Sequence, residues 1–135
     1  MNKKLQNQNL ESLFFKDSAL DNKKVDKIEY DSEILRKIEP YNTVIVGFHK
    51  SNKSPFDPYK FSKSEKEILE LISKNKKVIL NIFAKPYALM DVDMTNISSI
   101  LVSYQNNVTA QNKSAQIIFG ALPALGKLPV SINDV

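Results

Sequence analysis

The sequence contains no cysteine and no tryptophan, only three glycines and a single histidine. Without cysteine there can be no disulfide framework, no thiolate metal site and no cysteine nucleophile. The glycines, Gly47, Gly120 and Gly126, fall in none of the spacings that let backbone N–H groups cradle a phosphate, neither G-x-G-x-x-G nor G-x-x-x-x-G-K-[ST]. A nucleotide-binding Rossmann domain or flavin carrier is therefore disfavoured. His49 has no second histidine to share a metal with, and no serine stands in a G-x-S-x-G elbow. Long hydrophobic runs are also missing. The longest, Val78 to Ala84, is interrupted by Asn81 and falls far short of the roughly 20 residues that span a bilayer. Met1-Asn-Lys-Lys opens like the charged start of an export signal, but Leu5 to Glu11 supplies no apolar stretch to follow it.

What is present describes a globular chain. Of 135 residues, 42% are hydrophobic and 25% charged, which suits one core and excludes disorder on composition. A chain this long buries about two thirds of its unfolded surface. The net charge of +4 comes from 19 basic and 15 acidic residues, with lysines scattered as pairs at Lys3-Lys4, Lys23-Lys24 and Lys76-Lys77. No basic stripe is interleaved with stacking aromatics, so nucleic acid is not an expected partner.

The pattern along the chain alternates strand and helix. Leu10, Leu13 and Phe14 predict a short amphipathic helix over about Gln6 to Lys16. Val25 to Tyr30 reads as an edge strand, and Ser32 as the N-cap of a brief helix that Pro40 prevents from continuing. Thr43-Val-Ile-Val-Gly-Phe-His49 is apolar at both parities and predicts a strand buried on both faces. Ser62-x-x-Glu65 is a capping box opening a helix that ends near Asn75. Lys77 to Ala84 and Ile97 to Tyr104 are the second and third strands, Thr109 caps a helix running to Phe119, and Gly120 suits its C′ position. Leu128 to Ile132 reads as a last edge strand. The fold expected is a single α/β domain, a three-layer sandwich around a mostly parallel sheet of Rossmann or flavodoxin-like type.

In such sheets ligands meet the loops at the carboxyl ends of the strands, here Phe48 to Phe61, Ala84 to Asn96 and Tyr104 to Val108. His49, Lys53, Phe56, Asp57, Tyr59 and Tyr87 are the candidates for a substrate or domain-interface rim, because exposed aromatics beside charges suit carbohydrate or protein contacts. Each has a bland counterpart: a loop-anchoring imidazole at His49 and a packed connecting loop for the rest. Asp91-Val-Asp93-Met-Thr95-Asn96 resembles the start of a calcium loop but lacks its glycine and closing glutamate, so turn-making is the expected role. The four N-x-[ST] sequons, at Asn52, Asn96, Asn107 and Asn112, arise readily in an Asn- and Ser-rich chain.

Three segments in order carry a family resemblance: Lys77-Val-Ile-Leu-Asn-Ile-Phe-Ala-Lys-Pro-Tyr87, Gln111-x-x-x-Ala115-Gln-Ile-Ile-Phe-Gly120, and Gly126-Lys-Leu-Pro-Val-Ser131. Together they resemble the C-terminal domain of glycoside hydrolase family 3, over about Asn42 to Ile132, in its bacterial β-N-acetylglucosaminidase and β-glucosidase branches. The resemblance implies an α/β sandwich packed on an N-terminal (β/α)8 barrel of the same polypeptide. It places the Asp nucleophile, and in the N-acetylglucosaminidase branch the acid/base His and Asp, on that barrel. β-Linked carbohydrate is then the substrate, with no cofactor, no metal and no catalytic residue expected in this chain. The alternative is a stand-alone sugar- or protein-binding α/β module. The family domain opens with a Leu-Pro segment and a buried strand, and Met1 to Lys24 has neither, which predicts self-association of the isolated domain through uncovered apolar flanks.

Overall fold

A computed structural model describes residues 27–51 and 53–132. Helix α1 (Lys27–Ile38) leads into strand β1 (Thr43–His49), then helix α2 (Lys63–Asn75) and strand β2 (Lys77–Phe83). A 3-10 turn (Pro86–Leu89), strand β3 (Ser99–Val102) and helix α3 (Val108–Ile118) complete the order. The strands form one parallel sheet in the order β1-β2-β3, with Thr43 opposite Lys77 and Ile79 opposite Ser99. This is a small single-domain α/β fold.

The sheet has two unlike faces. Val78, Leu80 and Ile82 of β2, all fully buried, share one face with Phe48 of β1 and meet Ile34 and Ile38 of α1 and Leu69 and Ile72 of α2. This is the core. Alternate residues Ile79, Asn81 and Phe83 look the other way, where α3 docks at the β2–β3 side. Among the described residues this makes three layers over β2 and two over β1.

Helix α2 begins as its capping box requires. Ser62 Oγ accepts from the Glu65 amide at 3.2 Å while Glu65 Oε2 accepts from the Ser62 amide at 2.7 Å, so two otherwise orphaned N–H groups are satisfied. Helix α3 ends on Gly120 at φ +78°. The Ala121 amide bonds the Gln116 carbonyl and the Gly120 amide bonds the Ile117 carbonyl, a Schellman closure.

Several expectations are corrected. The predicted edge strand from Val25 to Tyr30 gives way to α1 from Lys27 onward, because Tyr30, Ile34 and Ile38 recur every four residues and form the stripe that packs on the core. Val25 itself, like the helix predicted over Gln6 to Lys16, lies outside the described residues. Ser32 sits inside α1 rather than capping it, although the helix does stop before Pro40. Strand β1 is buried on one face only: Thr43, Ile45, Gly47 and His49 are exposed. The N-cap of α3 is Asn107, whose side chain accepts from the Ala110 amide at 2.8 Å, and Thr109 lies within the first turn. Leu128 to Ile132 forms no strand. It runs irregularly and is pinned to the core by Ile132 and half-buried Val130.

Candidate functional site

The carboxyl ends of the three strands gather the loops in which the candidate residues lie. His49 closes β1, and its ring stacks on Phe83 at the end of β2 with centroids 4.4 Å apart. Its Nδ1 is 3.0 Å from Asn106 Oδ1, and the same oxygen accepts from Gln111 Nε2 of α3 at 3.1 Å. An amide oxygen only accepts, so Nδ1 is the donor in this bond. The ring folds back over the strand: a Cβ added at Gly47 would meet His49 Nε2 at 2.9 Å. Only glycine at 47 leaves the imidazole that place. The bland reading of His49 as an anchor between loops therefore describes its contacts. Among the described residues no serine hydroxyl or carboxylate bonds the ring, so the arrangement places an imidazole without a nucleophile beside it.

The long loop after β1 is internally tied. Asp57 accepts from the Ser51 hydroxyl at 2.6 Å and the Ser54 amide at 3.1 Å, and these bonds, the hydroxyl's first, hold its carboxyl below the usual Asp range. Tyr59 is half-buried against the core, with the Lys85 ammonium 5.3 Å from its ring centre. Lys85 also donates to the Pro55 carbonyl at 2.8 Å, and Lys60 pairs with Asp91 at 3.1 Å. These contacts bind the loop after β1 to the loop after β2. Lys53 is exposed, with its amide directed at the Ser51 hydroxyl, and Phe56 projects into solvent at 93% exposure. Tyr87 stands on the 3-10 turn, exposed, while its neighbours Pro86, Ala88 and Leu89 are buried. Of the six candidates, the structure thus anchors His49, Asp57 and Tyr59 and leaves Lys53, Phe56 and Tyr87 displayed.

Carboxylates that could serve as a general acid are otherwise engaged. Glu65 receives Lys50 Nζ on both oxygens, at 3.0 and 3.2 Å, besides closing its capping box. Glu67 pairs with Lys63 and Glu70 with Lys74 along α2. Asp93 accepts from the Thr95 amide and hydroxyl, making a turn rather than a calcium loop. Among the described residues no three His, Asp or Glu side chains converge as a metal site, and no helix is long and apolar enough to cross a membrane.

Sequence reasoning missed the polar seam beneath α3. Buried Asn81 accepts from Ser103 Oγ at 2.8 Å, Ser103 lies 2.5 Å from Ser114 Oγ, and Ser114 also donates to the Ala110 carbonyl at 2.7 Å. An asparagine inside a buried strand had to find such partners, and that requirement was the available signal. Tyr104, just after β3, adopts φ +59° while the Gln105 amide bonds the Ser103 carbonyl, a tight left-handed turn that delivers Asn106 to His49. No family model, no curated protein and no solved structure matches the chain.

Proposed function

We propose that the chain is the non-catalytic C-terminal accessory domain of a family 3 glycoside hydrolase, acting with an N-terminal (β/α)8 barrel that cleaves β-N-acetylglucosaminides or β-glucosides. The observation that carries this reading is the order of the three resembling segments along one small parallel α/β fold. The first ends β2 in a Pro86-Tyr87 turn whose proline is buried and whose tyrosine is displayed. The second forms the latter part of α3 and its Phe119-Gly120 close. The third brings Val130 back against the core. The reading rests on this order and on the fold.

The chemistry assigned to the whole enzyme is retaining double displacement: a carboxylate forms a glycosyl intermediate that water then hydrolyses. Asp57, Asp91 and Asp93 in these loops are each tied to a lysine, hydroxyl or amide partner, so the division of labour leaves both steps to the barrel. The domain would contribute the displayed Phe56 and Tyr87 to the rim facing that barrel.

Reading the coding frame on both sides of the chain tests the assignment. An in-frame barrel with its Asp nucleophile supports it, whereas a stop codon and ribosome site immediately before Met1 would make the chain an independent α/β binding module. Purified chain is expected to show no turnover of chromogenic β-glycosides. Turnover that survives removal of contaminating glycosidases overturns the division of labour.

A further inference from the structure

Helix α3 is attached to the molecule in a different way from the other two. Helices α1 and α2 each press a stripe into the core, Ile34 and Ile38 from one and Leu69 and Ile72 from the other. No side chain of α3 belongs to that core cluster or to the half-buried residues packed against it. The one buried residue of α3 is Ser114, with Ala110, Ile117 and Ile118 half-buried. What holds the helix is polar. Ser114 Oγ lies 2.5 Å from Ser103 Oγ, which donates to buried Asn81. Just ahead of the helix, Asn106 accepts from the His49 ring and donates to the Lys50 carbonyl at 3.4 Å, and Gln111 donates to Asn106 in turn. Polar groups recover hydrogen bonds from water when they separate, whereas apolar groups lose their burial outright, so a polar joint opens at the smaller cost.

The backbone turns sharply on both sides of α3. Tyr104 has φ +59°, a left-handed conformation rare for an aromatic residue, and Gly120 has φ +78°. Among the described residues these are the two positions with positive φ. Every residue from Pro123 to Pro129 is exposed, and the chain is next fixed at half-buried Val130 and buried Ile132. A displacement of α3 therefore does not pull on the core.

We propose that residues 104–120 form a flap that swings off the sheet as one unit, pivoting at Tyr104 and Gly120, while α1, β1, α2 and β2 stay folded. Opening uncovers the Asn81 amide and the Ser103 hydroxyl on the face of the sheet. It also frees the His49 ring from Asn106 at the strand carboxyl ends, where sheets of this kind meet their ligands. The flap thus governs access to those three polar groups. The inference stands on the contacts of α3 and is independent of the glycosidase reading.

Native-state hydrogen exchange of the full chain at low denaturant concentrations tests it. The amides of Ala115 to Ile118, inside α3, should exchange as a group at least about a hundredfold faster than those of Leu80 and Ile82, with a shallower dependence on denaturant. Ser114→Ala removes the bond to Ser103 and should speed exchange in α3 by about a further tenfold while leaving β2 unchanged. Exchange of α3 and β2 at one common free energy and slope overturns the proposal, since the helix then leaves only with the whole fold. Rates that differ from residue to residue along α3 with no dependence on denaturant overturn it too, because they report fraying of the helix in place.

Discussion

Asp57 organises the loop after β1 through two hydrogen bonds, from the Ser51 hydroxyl and the Ser54 amide, and both need its carboxylate. Those bonds lower its pKa in the folded chain, the Ser51 hydroxyl contributing most. The folded value is the lower one, so the stabilisation is complete above the unfolded Asp value of about 3.9. It is lost as pH falls through the depressed folded value. An acid titration followed by NMR should show the Ser51 and Ser54 signals moving together with a midpoint below that of an ordinary Asp. In Asp57→Asn that step should vanish. A midpoint at or above the ordinary value would mean that the loop does not depend on the charge. The sequence offered Asp57 as a candidate for binding, and its type did suit a loop rich in charges and aromatics. Only the fold showed its oxygens turned inward, because Ser51 and Ser54 reach it through a turn that spacing alone does not specify. His49 is a parallel case. Its position at a strand's carboxyl end was legible, whereas its partner Asn106, itself held by Gln111, lies more than fifty residues away in sequence.

Helix ends were legible where the cap is chemical and local. Ser62-x-x-Glu65 and Gly120 were both identified from sequence, since each cap is written within a few residues of the helix it closes. At the start of α3, Asn107 and Thr109 are both competent caps, and the tight turn at Tyr104 favours the earlier one. Helix α1 was obscured for a different reason: its first turn carries Ile28 and Tyr30, which two-residue alternation also fits, and only the stripe continuing to Ile34 and Ile38 decides for a helix. A prediction belongs to the far end of α3. Gly120 has φ +78° and nothing within 4 Å of where a Cβ would stand, so Gly120→Ala isolates the backbone cost. Chemical denaturation should find the variant about 1 kcal/mol less stable with an unchanged slope. No loss of stability would show that the helix end frays without consequence.

At the scale of the molecule, the two faces of one sheet have different worth. Leu80 and Ile45 belong to adjacent strands, both in apolar runs, yet Leu80 is fully buried between β1, β3 and the helices while Ile45 stands at the uncovered side. Leu80→Ala should cost about 2–5 kcal/mol, the cavity included. In dilute solution Ile45→Ala should cost less than about 1 kcal/mol. Comparable losses from both would mean that β1 is covered on both faces in solution. The sequence by itself determined that this chain is a single α/β domain, where β1, β2 and α2 lie, and that no cysteine or glycine-loop chemistry is available to it, because these follow from composition and from patterns a few residues long. Tertiary structure alone decided that, among the described residues, α3 covers β2 while one face of β1 stays exposed, and which of the loop candidates are anchored or displayed. Those outcomes depend on where separate elements come to rest, and an apolar run looks the same in sequence whether one of its faces is covered or both.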